Sequence, residues 1–156
     1  MAKIEYFRGD ATQPQAKGHR IIAHVCNDLG GWGKGFVLAV SKRWPGPAYR
    51  AWHKDRSKND FGLGEIQVVP VQPYIWVANM VAQRGMKTGS NGPTIRYEAL
   101  RACLKKLAVE AQELGASVHR PRVGCGLAGG RWEEVEPIIL DELVSQGVEV
   151  TVYELG

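Results

Sequence analysis

An α/β fold is predicted, a three-layer α/β/α arrangement around a mixed, mostly parallel central sheet, on three observations. Short β-rich runs alternate with helical stretches along the chain, the order that places helices on both faces of a largely parallel sheet. The run from Arg20 to Cys26, RIIAHVC, is apolar without strict alternation, as suits a strand covered on both faces. Two glycine-rich loops each follow a strand-like run and precede a helical one, the position in which such sheets present backbone amides to a ligand.

The elements follow in order. Ile4 to Arg8 alternates as a strand, and Gly9-Asp10-Ala11-Thr12 reads as the turn that ends it. Arg20 to Cys26 is the second strand, and Asn27 to Gly35 forms the first glycine-rich loop. Phe36 to Arg43 has apolar residues at helical spacing, Trp44-Pro45-Gly46-Pro47 stops that helix, and another begins around Ala48 and carries Tyr49 and Trp52. Glu65 to Val71 and Tyr74 to Ala82 are β-rich segments joined through Gln72-Pro73, the spacing of a tight connection between neighbouring strands. Gln83 to Pro93 is a polar loop, after which Thr94 is the expected cap of a long amphipathic helix. Its apolar residues Tyr97, Leu100, Leu104, Leu107 and Ala111 recur every three or four positions until Gly115. Ser117 to Val123 returns to a strand, Gly124 to Gly130 is the second glycine-rich loop, Trp132 to Ser145 is helical, and Val148 to Tyr153 closes as a strand.

With 156 residues, no internal repeat and no linker, one domain spanning residues 1–156 is the expected organisation. No apolar run approaches the length of a membrane span, and the segment MAKIEYFRGD lacks the apolar stretch of a secretory signal, so a cytoplasmic location is expected. Three cysteines without CxxC spacing favour reduced thiols over a disulfide framework or a zinc site. A formal charge of +4 suits an anionic ligand, but Lys and Arg are spread along the chain, which argues against a nucleic-acid footprint. The basic stretch from Arg50 to Lys58 reads as a solvated helix face.

The glycine loops carry the chemistry. Strand, glycine-rich loop and helix together point main-chain N–H groups and a helix N-terminus at an anion, and phosphate is the natural occupant. Glycine admits positive φ and lets oxygen atoms approach the main chain with no Cβ in the way. Gly33 and Gly35 flank Lys34 in the first loop; Gly124, Gly126, Gly129 and Gly130 surround Cys125, Leu127 and Ala128 in the second.

Gly9-Asp10-Ala11-Thr12, IIAHVCNDLGGWGKGF and PRVGCGLAGGRW closely resemble the macro domain over nearly the whole chain. The pattern is most similar to the branch that includes the terminal ADP-ribose protein glycohydrolase, which shares the PRxGCGL loop and a closing VY strand. That branch removes ADP-ribose from protein carboxylates and deacylates O-acetyl-ADP-ribose. The resemblance implies a macro domain fold and ADP-ribose or an ADP-ribosylated protein as the partner; no cofactor is expected, no histidine forms a metal motif, and no membrane partner is expected. Asp10 would accept the adenine amino group, with the Ala11 amide as a second contact. Gly33, Lys34, Gly35 and Phe36 would wrap one side of the diphosphate and distal ribose, and Gly124, Cys125, Gly126, Leu127 and Ala128 the other. Trp32 would close over the distal ribose and Tyr153 lie along the adenine, although either also reads as a core or rim aromatic.

Asn27 falls at the loop position that faces the distal ribose, where an amide holds a hydroxyl or the attacking water; it reads equally as an asparagine in a left-handed turn. Gln83 is a second candidate to hold that water. Asp28 is a candidate base, or a solvated loop carboxylate. The chain departs from its branch in two places: Ala128 stands where the relatives have an aspartate, and Asn79-Met80-Val81-Ala82-Gln83 lacks their lysine. That leaves substrate-assisted hydrolysis, with the ligand's diphosphate taking the proton, beside two alternatives: a non-catalytic reader of ADP-ribosylated proteins and an ADP-ribose 1″-phosphate phosphatase. Cys125 is expected to serve through its amide. His24 and His119 lie within apolar strand runs and read as satisfied core histidines, whereas His19 and His53 are expected in polar surroundings.

Overall fold

Parallel pairing organises the chain. The computed structural model describes residues 3–11, 14, 18–27, 47–83, 96–121 and 132–154. Its strands are β1 (Ile4–Arg8), β2 (His19–Asn27), β3 (Ile66–Gln72), β4 (Ile75–Gln83), β5 (Ala116–Pro121) and β6 (Val150–Glu154). They form a six-stranded sheet in the order β1-β6-β5-β2-β4-β3. Every pairing is parallel except β3 with β4. The helices are α1 (Pro47–Lys54), α2 (Tyr97–Leu114) and α3 (Trp132–Glu142). The expected mixed, mostly parallel α/β sheet is the one found.

Burial explains the sequence patterns. Ile75–Gln83 is largely apolar, interrupted by Asn79, because β4 is covered on both faces and is buried along nearly its whole length. One face, with Ile21, Ala23, Ala78, Met80, Val118 and Val152, packs under α2 and α3. On the other, Cys26 and Val81 meet Tyr49 and Trp52 of α1. The edge strand β3 carries Pro70, which lacks an amide for the ladder, and the register shifts between Pro70 and Gln72. The hairpin to β4 turns at Tyr74, whose φ is 68°.

In α2 the buried residues Leu100, Cys103, Leu104, Leu107, Ala108 and Ala111 trace one helical stripe. Gly115 ends it in the left-handed conformation, with its amide bonded back to the last turn. The start differs from the expectation of a Thr94 cap. Arg96 is the capping residue, extended and making no side-chain cap bond; its amide donates to the Ala82 carbonyl at 2.8 Å, so the entry to α2 is tied to the end of β4 instead. The helix from Trp132 also stops short of Ser145: the chain tightens into a 3-10 turn at Val144–Gln146 and reverses at Gly147, φ 83°. Arg50, Lys54, Arg56 and Lys58 are exposed, as a solvated basic face requires. The helix expected at Phe36–Arg43 lies outside the described residues.

His19 and His53 also meet aromatic rings. Because β2 and β4 begin at the same edge, Tyr74 stacks on His19 at 5.4 Å and Trp76 meets it edge-on, while His19 Nδ1 lies 2.6 Å from the Leu114 carbonyl. His53 packs edge-on against Phe61. The core packing sets a stability test. Leu104→Ala, at a fully buried site, is expected to cost about 2–5 kcal/mol in urea unfolding, whereas Val109→Ala on the exposed face of the same helix should stay within about 0.5 kcal/mol.

Candidate functional site

Five strands run the same way, so their carboxyl ends share one edge of the sheet. β1 delivers Gly9, Asp10 and Ala11 there, β2 ends at Asn27, β4 at Gln83, β5 at Pro121 and β6 at Glu154. The Gly9 amide donates to the Glu154 carbonyl at 2.8 Å, which fastens the turn after β1 to the end of β6. Asp10 is half-buried beside it, and Ala11 is buried.

Asn27 and Gln83, 56 positions apart, are register partners. The pairing depends on an irregularity: Cys26 faces Val81, the register then shifts, and Asn27 faces Gln83 with Ala82 passed over. Without that shift an apolar methyl would stand opposite Asn27. Such bulges re-aim side chains beside functional sites. Gln83 is half-buried at this edge.

Tyr153 is only 3% exposed. Its hydroxyl lies 2.7 Å from His119 Nδ1, and His119 Nε2 lies 2.7 Å from Ser117 Oγ. The tyrosine is thus tied into the sheet at its hydroxyl, and Phe7 meets its ring edge-on at 5.6 Å. Phe7 itself is 42% exposed and adjoins the Gly9-Asp10 turn, so it is an accessible aromatic at this edge that the sequence reading overlooked. Its place in an alternating strand marked it only as a strand residue.

A second polar cluster spans β2, β4 and β3. His24 Nε2 is 2.6 Å from Asn79 Oδ1, and Asn79 Nδ2 donates to Gln67 Oε1 at 3.0 Å. Burial lowers the His24 pKa to about 4, partly offset by the bond to Asn79; burial likewise lowers His119 to about 4, with the charge of Arg20 adding to the effect. Both are neutral, hydrogen-bonded core histidines. Cys26 and Cys103 are free thiols. Burial drives the Cys26 pKa far up and Cys103 to about 12, so neither supplies a thiolate near neutrality.

Asp28, Trp32, Gly33, Lys34, Gly35, Phe36, Gly124, Cys125, Gly126, Leu127 and Ala128 lie outside the described residues. Among the described residues no group of three or more His, Cys, Asp or Glu is placed to hold a metal ion, and no helix is long and apolar enough to cross a membrane.

Comparison with known proteins adds to this geometry. The macro domain family model matches residues 23–139. A macrodomain protein of known structure from Streptomyces coelicolor is 61% identical, with a TM-score of 0.89 over 99% of this chain and 100% of that one. The ADP-ribose glycohydrolase OARD1 of Bos taurus is 36% identical over 99% of this chain and 93% of its own length. An ADP-ribose 1″-phosphate phosphatase of Lodderomyces elongisporus is 28% identical over 97% and 99%. The chain also matches chromodomain-helicase-DNA-binding protein 1-like, spanning 17% of the Mus musculus protein and 15% of that of Danio rerio.

The buried histidines set a pH dependence. An unfolded histidine takes its proton below about pH 6.5, whereas folded His24 resists until about 4. Its contribution is therefore intact above 6.5 and lost as pH falls toward 4. Urea unfolding at pH 7.5 and 4.5 should show wild-type stability falling by roughly 2 kcal/mol more than that of His24→Gln; equal losses would contradict this assignment.

Proposed function

The chain belongs to the macro domain family, and from that premise we propose that it binds ADP-ribose at the carboxyl edge of its sheet and hydrolyses ADP-ribose from acidic side chains. The observation that most supports this reading is the pairing of Asn27 with Gln83, two amide residues brought together at the edge where Asp10 and Ala11 also arrive. Asp10 and the Ala11 amide receive the adenine, with Phe7 and Tyr153 near them. The two glycine-rich loops hold the diphosphate by their main-chain amides. That leaves the distal ribose beside Asn27 and Gln83, with Trp32 over it.

The chemistry suits residues that orient rather than ionise. Attack of water on C1″ of the ribose forms a new C–O bond as the bond to the glutamate oxygen breaks, and the carboxylate leaves with the electron pair. A glutamate leaving group, of reference pKa about 4.3, departs without a general acid. Asn27 and Gln83 hold the water, and its proton passes to the ligand's own diphosphate, with Asp28 the alternative acceptor. No protein nucleophile is called for, in keeping with the un-ionised state of Cys26 and Cys103. The likeness to the Bos taurus relative, an ADP-ribose glycohydrolase, supports the reaction class. O-acetyl-ADP-ribose offers an ester in the same pocket. The likeness to the Lodderomyces elongisporus relative, an ADP-ribose 1″-phosphate phosphatase, supports a second reading, hydrolysis of ADP-ribose 1″-phosphate.

Incubation with glutamate-, serine- and arginine-linked ADP-ribosylated proteins separates the possibilities. Free ADP-ribose should appear from the glutamate linkage, and Asn27→Ala should lower kcat by about tenfold or more while changing ADP-ribose affinity by less than about threefold. Equal turnover of all three linkages would contradict the mechanism. Binding without release would make the protein a reader, and inorganic phosphate from ADP-ribose 1″-phosphate would make it a phosphatase.

A further inference from the structure

The described residues divide their charge unevenly between the two faces of the sheet. α1 and the 3-10 turn that follows it at Arg56–Lys58 carry Arg50, Lys54, Arg56 and Lys58, all exposed. Among the described residues none of these four cations enters an ion pair, whereas Arg101 and Lys106 of α2 do. α3, by contrast, holds Glu133, Glu134, Glu136, Asp141 and Glu142 and no Lys or Arg. The two helices lie on opposite faces. Tyr49 and Trp52 of α1 pack with Val81, while Val135, Ile138 and Ile139 of α3 share a core with Met80 and Ala82, the residues on either side of Val81 in β4.

The basic layer adjoins the carboxyl edge. Tyr49 and Trp52 pack on Cys26, which directly precedes Asn27, and on Val81, which comes shortly before Gln83. β3 pairs antiparallel with β4 and so starts at that edge, where the Gly64 amide donates to the Val81 carbonyl at 2.8 Å and the Val81 amide to the Glu65 carbonyl at 3.0 Å. The chain from α1 to β3 is therefore anchored beside the last residues of β4. With a helix about 10–12 Å across and a rise of about 3.3 Å per strand residue, the outer face of α1 lies roughly 15 Å from the Asn27–Gln83 row, a span that about five residues of extended chain cover.

Hydrogen bonds fix the shape of this face. Trp52 Nε1 donates to Asp60 Oδ1 at 2.8 Å, Asn59 Nδ2 donates to the Trp52 carbonyl at 2.9 Å, and the Phe61 amide donates to Asn59 Oδ1 at 2.8 Å. Arg56 Nη1 donates to the His53 carbonyl at 3.1 Å. The Asp60 carboxylate is thus held against the indole, and from Arg50 to Lys58 the sequence has Asp55 as its single acid.

We propose that this basic face docks an acidic segment of the ADP-ribosylated acceptor protein, next to the modified carboxylate. The assignment rests on the hydrolase reading above, in which the bond that breaks joins ADP-ribose to an acidic side chain at the carboxyl edge. Acceptor residues within about five positions of the modified one reach α1. Acidic neighbours meet Arg50, Lys54, Arg56 and Lys58 there and are repelled from α3, so charge decides which way the acceptor chain leaves the site. Each exposed pair is weak, and several act together. The attraction fades with salt, since the Debye length falls from about 10 Å at 0.1 M to about 3 Å at 1 M.

The test uses the full chain and peptides that carry one glutamate-linked ADP-ribose, flanked either by Asp and Glu or by Ser and Gly. kcat/KM should favour the acidic flanks by about tenfold at about 0.05 M salt and by less than about twofold at about 1 M. The triple variant Lys54→Ser, Arg56→Ser, Lys58→Ser should lose that preference while its affinity for ADP-ribose changes by less than about twofold. Glu133→Gln with Glu134→Gln should keep the preference. Equal kcat/KM for the two flanks in the wild type, or an undiminished preference in the triple variant, would overturn the proposal. If no glutamate-linked peptide is hydrolysed, the hydrolase reading fails, and fluorescence anisotropy of the unmodified acidic peptide decides the docking face: salt-sensitive binding that the triple variant loses supports it, and no binding overturns it. Tighter binding of a single-stranded oligonucleotide of equal charge in the same assay would assign the face to nucleic acid and overturn the proposal.

Discussion

The parallel pairing of β2 with β4 and β5 is the constraint on which the site depends. Parallel strands need crossovers, and each crossover returns the chain to the same starting edge. The turns that leave the strands therefore gather at the other edge, whatever their separation in sequence. Asp10, Asn27, Gln83 and Pro121 reach that edge for this reason alone. The bond from the Gly9 amide to the Glu154 carbonyl extends the arrangement to β1, an edge strand whose own burial is slight.

Burying polar groups beneath that edge is costly unless each finds a partner. His24, Asn79 and Gln67 satisfy one another across β2, β4 and β3. Ser117, His119 and Tyr153 do the same across β5 and β6. Such matched groups favour one register over slipped ones, since a shift by one residue turns every partner to the opposite face. Arg120 departs from this rule, and the departure sits at the carboxyl edge rather than at the opposite end of the strand. Its unpaired charge costs stability in the folded protein.

Much of the fold is legible in local patterns. RIIAHVC and the run from Tyr74 to Ala82 show their burial directly, and the stripe from Leu100 to Ala111 ending at Gly115 marks a helix and its stop. What is long-range is not legible in this way. Nothing in the residues around Val150 shows that β6 inserts between β1 and β5. The start of α2 is set by the bond from Arg96 to Ala82, so the local cap signal at Thr94 misplaced it. Asn27 and Gln83 were each legible as candidates, but their pairing depends on a register shift that no periodicity records. Arg120 reads in sequence as one more basic residue, and only its burial distinguishes it.

The central claim is that the carboxyl edge of the sheet is where ADP-ribose binds. The most direct measurement is a titration of isotopically labelled protein with ADP-ribose, following backbone amide resonances. The account expects changes at Asp10, Ala11, Asn27, Gln83 and the segment from Arg122 to Arg131, with His19, Gly115 and Gly147 at the opposite edge unmoved. Changes confined to that opposite edge, or none at saturating ligand, would contradict it.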